Sequence, residues 1–307
     1  MQTTQSIFMK KHICIFLLLS FLGFSEAFSQ ADTTGPWAKE AVFQLNFSQV
    51  ALSNWQGGGQ STVAGAGYAH FLVSHFNEKH IWENRLDLGY GLFRQGKSGL
   101  LQKSDDMIKF MSKYSQKLSG DWNYVGLVDF NTTIMPGYKY REDSLTKELY
   151  EAELLSRFMA PGYVVTSLGF EYRPDEKLTL IMAPVSGKMT FVLQDSLSKA
   201  GAYGVEPGQM FRAELGATVK NILKYKLMKN ILFESDLNLF ANYKTFDQID
   251  VNWIAGMIFT VNNYFNAKIS TNLIYDQDID VKRSDNTVGP AVQFKEALSI
   301  GIQYKLK

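Results

Sequence analysis

Hydrophobic and polar residues alternate along most of this chain. Segment 293–307 is the strictest case. Phe294, Leu298, Ile300, Ile302, Tyr304 and Leu306 share one face of an extended strand, and Lys295, Ala297, Ser299, Gly301, Gln303 and Lys305 share the other. The same period runs through 41–50, 81–94, 106–118, 122–134, 164–172, 211–220, 231–243, 251–261 and 265–275. Two segments are less regular. Residues 61–75 form a strand rich in small residues, and 177–193 is apolar on both faces and carries Pro184 and Gly187. Proline has no amide to give to a ladder, so a bulge or bend is expected there. The pattern predicts about twelve strands.

A strand that is apolar on one side fits either the half-buried sheet of a soluble sandwich or the wall of a membrane barrel. The connections separate the two. Short turns fall near 77–79, 119–120, 174–176, 227–229 and 262–263. Longer links fall between them at 53–60, 95–105, 135–157, 194–208 and 276–292, with one brief exception at 245–248. Short turns on one rim and long loops on the other describe an outer-membrane barrel, and an even strand count puts both termini on the short-turn, periplasmic side. Trp82, Trp122, Tyr172, Tyr243, Trp253, Tyr275 and Tyr304 near strand ends are candidates for aromatic girdles at the membrane edges.

The N-terminus predicts export. Lys10, Lys11 and His12 precede an apolar run over 13–24, and Ala27-Phe28-Ser29 offers a cleavage site, so 1–29 read as a signal peptide. Met9 is an alternative start to Met1. Residues 30–40 follow as a short periplasmic segment, and 41–307 as the barrel. The single cysteine, Cys14, lies in the leader, which leaves the mature chain without disulfides or thiolate metal sites. Beyond the leader no run of about 18 apolar residues occurs, which excludes spanning helices but not spanning strands. A formal net charge of +1 gives no reason to expect nucleic acid.

The polar faces collect ionisable residues of both signs: Glu83, Arg85, Asp87, Lys109, Lys113, Lys117, Asp129, Glu171, Arg212, Glu214, Glu234, Asp236, Lys268 and Lys295. In a barrel of this size they line a narrow lumen. They either pair into a closed, salt-bridged interior or mark a polar path for a small solute. Other chemistry is weaker. The 184–188 stretch lacks the glycine and the Ser or Thr of a phosphate loop. Asp276, Asp278 and Asp280 open like a calcium loop, but Val281 and Thr287 occupy the places of its glycine and bidentate glutamate. A loose cation site among the aspartates is the residual alternative. His70 and His75 have opposite parity, and no serine partner for a histidine is identifiable. No metal, cofactor or catalytic residue is expected. Leu145, Leu149, Ala152 and Leu155 have roughly helical spacing, which predicts either a short helix over the mouth or extended loop.

Three patches carry a resemblance. They are Leu52-Ser53-Asn54-Trp55 with Gly57-Gly58, the run 183–192 (A-P-V-S-G-K-M-T-F-V), and 200–205 (A-G-A-Y-G-V). Together they resemble an exported Bacteroidota family catalogued only as a domain of unknown function, over nearly the whole chain from about Trp37. The resemblance implies an outer-membrane β-barrel and marks Asn54, Trp55, Gly57, Gly58, Pro184, Gly187 and Lys188 as family-motif loop candidates, with no activity to carry over. The reading is therefore all-β: a transmembrane, antiparallel, up-and-down barrel of about twelve strands. Its expected partners are outer-membrane lipid, the barrel-assembly machinery during insertion and a small polar solute. The expected function is a small passive channel or transporter. The alternatives are a closed structural or partner-binding barrel and, third, a lipid hydrolase.

Overall fold

A computed structural model describes residues 35–51, 60–96, 99–143, 145–146, 149–283 and 287–306. The expected leader (1–29) and the loop candidates Asn54, Trp55, Gly57 and Gly58 lie outside the described residues. The chain is all-β. Its strands are β1 (Trp37–Val50), β2 (Thr62–Phe76), β3 (His80–Gln95), β4 (Gln102–Ser119), β5 (Trp122–Thr132), β6 (Gly137–Glu142), β7 (Leu149–Ser156), β8 (Gly162–Tyr172), β9 (Leu178–Phe191), β10 (Phe211–Met228), β11 (Ile231–Asn242), β12 (Ile249–Thr260), β13 (Phe265–Tyr275), β14 (Asp280–Lys282), β15 (Val288–Pro290) and β16 (Gln293–Leu306).

Twelve of these close a barrel in the order β1-β16-β13-β12-β11-β10-β9-β8-β5-β4-β3-β2. Every neighbouring pair is antiparallel, and the seam is sealed by β1 on β16 with Phe43 opposite Tyr304 and Leu45 opposite Ile302. Closure leaves no unpaired sheet edge, which is the condition for placing strands in hydrocarbon. The shortest barrel strand has 11 residues, enough to cross a bilayer at a tilt. Long links leave one rim and short turns the other, and the outer ends of β1 and β16 meet at the turn rim.

Two expectations change. The 145–155 spacing allows a short helix or extended loop, but 149–156 is strand β7, paired with β6 in a hairpin above the loop rim. Register shifts in that hairpin stretch the apolar spacing from two to three residues, which imitates a helical period. Pro184, Gly187 and Lys188 are not loop residues; they lie within barrel strand β9.

The bulge expected at Pro184 is there. Val185 pairs with Leu168 while Met182 pairs with Phe170, so β9 gains one residue against β8. Its parity flips across that point. Ile181 and Ala183 are buried below it, whereas Ser186, Lys188 and Thr190 are buried above it, and Val185 faces outward. The bulge leaves no room at Gly169 on the facing strand, because an added Cβ would overlap the Met182 carbonyl and the Ala183 Cα. Gly169→Ala is expected to cost about 1–3 kcal/mol through forced backbone displacement. A lowered denaturant midpoint of the refolded barrel checks it; an unchanged midpoint contradicts the close approach.

The outward faces are apolar. Leu45, Leu168, Leu215 and Leu298 are 62–72% exposed, which suits side chains facing lipid rather than a protein core. Aromatic pairs sit at both rims: Trp37 with Trp82 and Trp122 with Tyr172 at the turns, Phe191 with Phe211 and Tyr243 with Phe246 at the loops. Trp253 is less terminal, as it lies within β12 and donates to Ser235 Oγ at 3.0 Å. At the loop rim a short helix α1 (Asp195–Lys199) and the turn at 202–204 pack Leu197, Val205 and Val192 against Ala160. Burial pushes the Tyr203 phenol up to about 12, and it stays a donor to the Leu155 carbonyl.

Candidate functional site

Strand alternation aims every second side chain into the lumen, so the ladder register decides which charges meet there. Glu83 stands opposite Lys113, and Asp87 opposite Lys109 and His70, on β3 and its neighbours. The contacts extend well beyond neighbouring strands. Arg85 Nη2 lies 3.5 Å from Asp236 Oδ2, although β3 and β11 are diametrically opposite in the ring. A round barrel of twelve strands about 4.8 Å apart and tilted about 40° is roughly 24 Å across at the backbone. An arginine and an aspartate end to end fall far short of that, so the wall is drawn in along this diameter. Arg85 Nε also faces Asp87 Oδ2 at 3.2 Å, and Asp87 holds the His70 imidazole. Lys220 reaches Asp129 on β5 at 3.4 Å and Asp236 at 3.7 Å.

Toward the loop rim, the flipped parity of β9 delivers Lys188 into the lumen. Its Nζ donates to Asp250 at 2.6 Å and Asp276 at 2.9 Å, and it stands 5.7 Å from the Phe240 ring. Arg212 bonds Glu214 at 2.8 Å and Asp278 at 2.6 Å. Asp276 and Asp278 are thus paired with Lys188 and Arg212. Among the described residues no cluster of three or more metal-ligating side chains occurs.

Toward the turn rim, Lys113 binds Glu83 at 2.6 Å and also Glu171, which is fully buried. Asn123 donates to Glu171 at 3.1 Å, and Arg173 to Glu83 at 3.2 Å. Beside this cluster lies an apolar layer of Met111, Val125, Leu127, Ile181 and Ala183. The sequence reading missed it by treating the inward faces as polar throughout; the signal was Met111 between Lys109 and Lys113, and Val125 and Leu127 between Asn123 and Asp129. On the opposite wall, amides replace charges: Asn266 donates to Gln303 at 2.7 Å, and Gln44 to Asn46 at 2.8 Å.

The structure brings together Glu83, Arg85, Asp87, Lys109, Lys113, Asp129, Glu171 and Asp236 in the lower and middle lumen, and Lys188, Arg212 and Glu214 above. Glu234 and Lys268 have the same inward parity on β11 and β13. Lys295 sits at the loop rim, 3.4 Å from Asp105, in a cavity of about 270 Å³ shared with Lys103, Asp106 and Thr133. A second rim cavity of about 540 Å³ is lined by Arg212, Glu206, Gln209 and Lys244. His70 faces the lumen, away from lipid. His75 and His80 face outward and stack on each other, with Trp37 and Tyr114 at either end of the stack.

A family model described as a protein of unknown function (DUF3078) matches residues 47–138, under a third of the chain, from the end of β1 into β6. No curated protein matches. Among solved structures, an outer membrane channel from Pseudomonas putida F1 is similar at 11% identity and a TM-score of 0.39, over 90% of this chain and 99% of that one. The translocator domain of the autotransporter NalP from Neisseria meningitidis gives 10% and 0.36 over 96% of each chain. The toluene transporter TodX of Pseudomonas putida gives 7% and 0.33 over 89% of each. At these identities and scores the likenesses say nothing of solute or activity.

Proposed function

We propose that this chain is an outer-membrane β-barrel that passes a small polar solute through a constricted lumen, with its loops outside and both barrel termini in the periplasm. The observation that carries the reading is the division of chemistry across the wall. Large apolar side chains face outward on the barrel strands, while ionisable residues of both signs concentrate on the inward parity. The contact between Arg85 and Asp236 favours a second reading, a closed structural or partner-binding barrel.

Planar-bilayer recording of the purified protein discriminates between them. Small unitary current steps are expected. Absence of current above the lipid background overturns the channel and leaves the closed barrel. Location has a separate check: the protein is expected in the outer-membrane fraction, with a mobility difference between boiled and unboiled gel samples.

A lipid hydrolase draws little support from the geometry. His70 and Asp87 make half of a hydrolytic constellation, but inside the lumen, where an acyl chain in the bilayer does not reach.

A further inference from the structure

The contact between Arg85 and Asp236 divides the lumen as well as narrowing it. In the ring, β3 and β11 leave five strands on either side: β4, β5, β8, β9 and β10 on one arc, and β2, β1, β16, β13 and β12 on the other. The two arcs treat their inward side chains differently. On the first, Met111, Leu127, Ser167, Ile181 and Thr218, one from each strand, are at most 6% exposed. Ion pairs also cross this half, since Lys113 reaches Glu171 on β8 and Lys220 reaches Asp129 on β5. On the second arc, Ala66, Gln44, Ser299, Ser270 and Asn252, again one from each strand, are only half-buried. A side chain that points inward meets solvent only in the lumen, so this half holds water-accessible space.

Long side chains on the second arc lie along the wall rather than across the space. A Cβ on Gly301 would overlap Asn46 Oδ1, and one on Gly256 would stand 3.5 Å from Lys268 Cε. The inward ionisable side chains of these five strands are Glu40, His70, Asp250, Lys268, Lys295 and Lys305. Five of them are engaged: His70 with Asp87, Glu40 with Lys305 at 2.9 Å, Lys295 with Asp105 at 3.4 Å and Asp250 with Lys188 at 2.6 Å. Among the described residues Lys268 alone of the six has no ion pair.

We propose that the half-lumen lined by β2, β1, β16, β13 and β12 is the solute path, and that its solute is a small uncharged molecule rich in hydroxyl groups. This rests on the channel reading and names its route and solute class. The amides of Gln44, Asn46 and Asn252 and the hydroxyls of Ser270 and Ser299 offer donors and acceptors, which a polyol matches in either sense. An ion in the same half gives up hydration for a neutral wall, and the one unpaired charge it meets there is Lys268.

Thiol labelling and liposome swelling test the route and the solute. The one native cysteine, Cys14, lies in the expected leader, so an introduced cysteine is read against the wild-type blank. In the purified protein reconstituted in liposomes, Ser299→Cys and Ala66→Cys are expected to react readily with a water-soluble maleimide. Ala183→Cys, at a position 2% exposed in the filled half, is expected to react only after unfolding. Heat-modifiable gel mobility establishes that each variant is a folded barrel. Erythritol influx is expected to be several-fold faster than that of potassium threonate or choline chloride, and labelling of Ser299→Cys or Ala66→Cys is expected to slow it several-fold. Ala183→Cys reacting as fast as the other two overturns the division of the lumen. Undiminished erythritol influx through both labelled variants overturns the route, and equal rates for erythritol and the two salts overturn the solute class. Each of these leaves the channel standing. No influx of any solute overturns the channel and the path together.

Discussion

Lys113→Ala is expected to cost the barrel about 3–5 kcal/mol, the loss typical when one partner of a buried ion pair is removed. Lys113 is 3% exposed and Glu171 is fully buried, so solvent gives little screening to either charge. The ammonium touches both Glu171 and Glu83. Without it Glu83 keeps Arg173, but among the described residues Glu171 keeps only the Asn123 amide. An uncompensated carboxylate then remains beside Met111, Leu127 and Ile181, where the dielectric is low. The cost is one of desolvation, so replacing both charges with apolar residues of similar size should remove most of it. Lys113→Met/Glu171→Leu is expected to lie well above either single variant in stability, with the coupling read from the double-mutant cycle. Denaturant midpoints of the refolded barrel in detergent micelles give the measurement. A single variant within about 1 kcal/mol of wild type would place the pair in the class of solvated ion pairs instead.

The barrel wall was legible because its rule is local. Lipid requires an apolar residue at every second position, so strands such as β3 and β16 declare both their existence and their faces. The alternation of short and long links supplied closure and the two rims. Pro184 announced a bulge, since a missing amide is a chemical fact of one residue. The consequence of that bulge was less visible. Flipping parity part-way along β9 puts Ile181 and Lys188 in the same lumen although their numbers differ by seven. The spacing around Leu149 did not decide between helix and extended chain because a bulged hairpin also yields intervals of three.

The lumen's pairings were out of reach for another reason. Whether Arg85 meets Asp236 depends on ring order, on register through six strands, and on how far the barrel departs from a circle. None of these is written near either residue. The polar faces indicated which charges turn inward; closure of the ring determined which of them touch.

Arg85→Ala is expected to raise the unitary conductance severalfold, because this arginine spans the lumen along its drawn-in diameter. Its removal takes away the longest side chain on that line without stranding its partners. Asp87 keeps His70, and Asp236 keeps Lys220 at 3.7 Å. The variant should therefore fold, and heat-modifiable mobility like that of wild type checks this. Asp236→Ala is expected to produce a smaller rise, since the arginine stays in the lumen and is free to lean toward Asp87. The exchange Arg85→Asp/Asp236→Arg rebuilds the contact with reversed ends and should return the conductance toward wild type. That rescue separates a constriction from a general loosening of the barrel, which a swapped pair would not repair. Conductance unchanged in Arg85→Ala would mean that permeation is limited elsewhere, with the layer around Lys113, Leu127 and Ile181 the next place to cut. If wild type is silent and Arg85→Ala conducts, the contact with Asp236 is what closes the barrel, and the closed-barrel reading stands for the native protein.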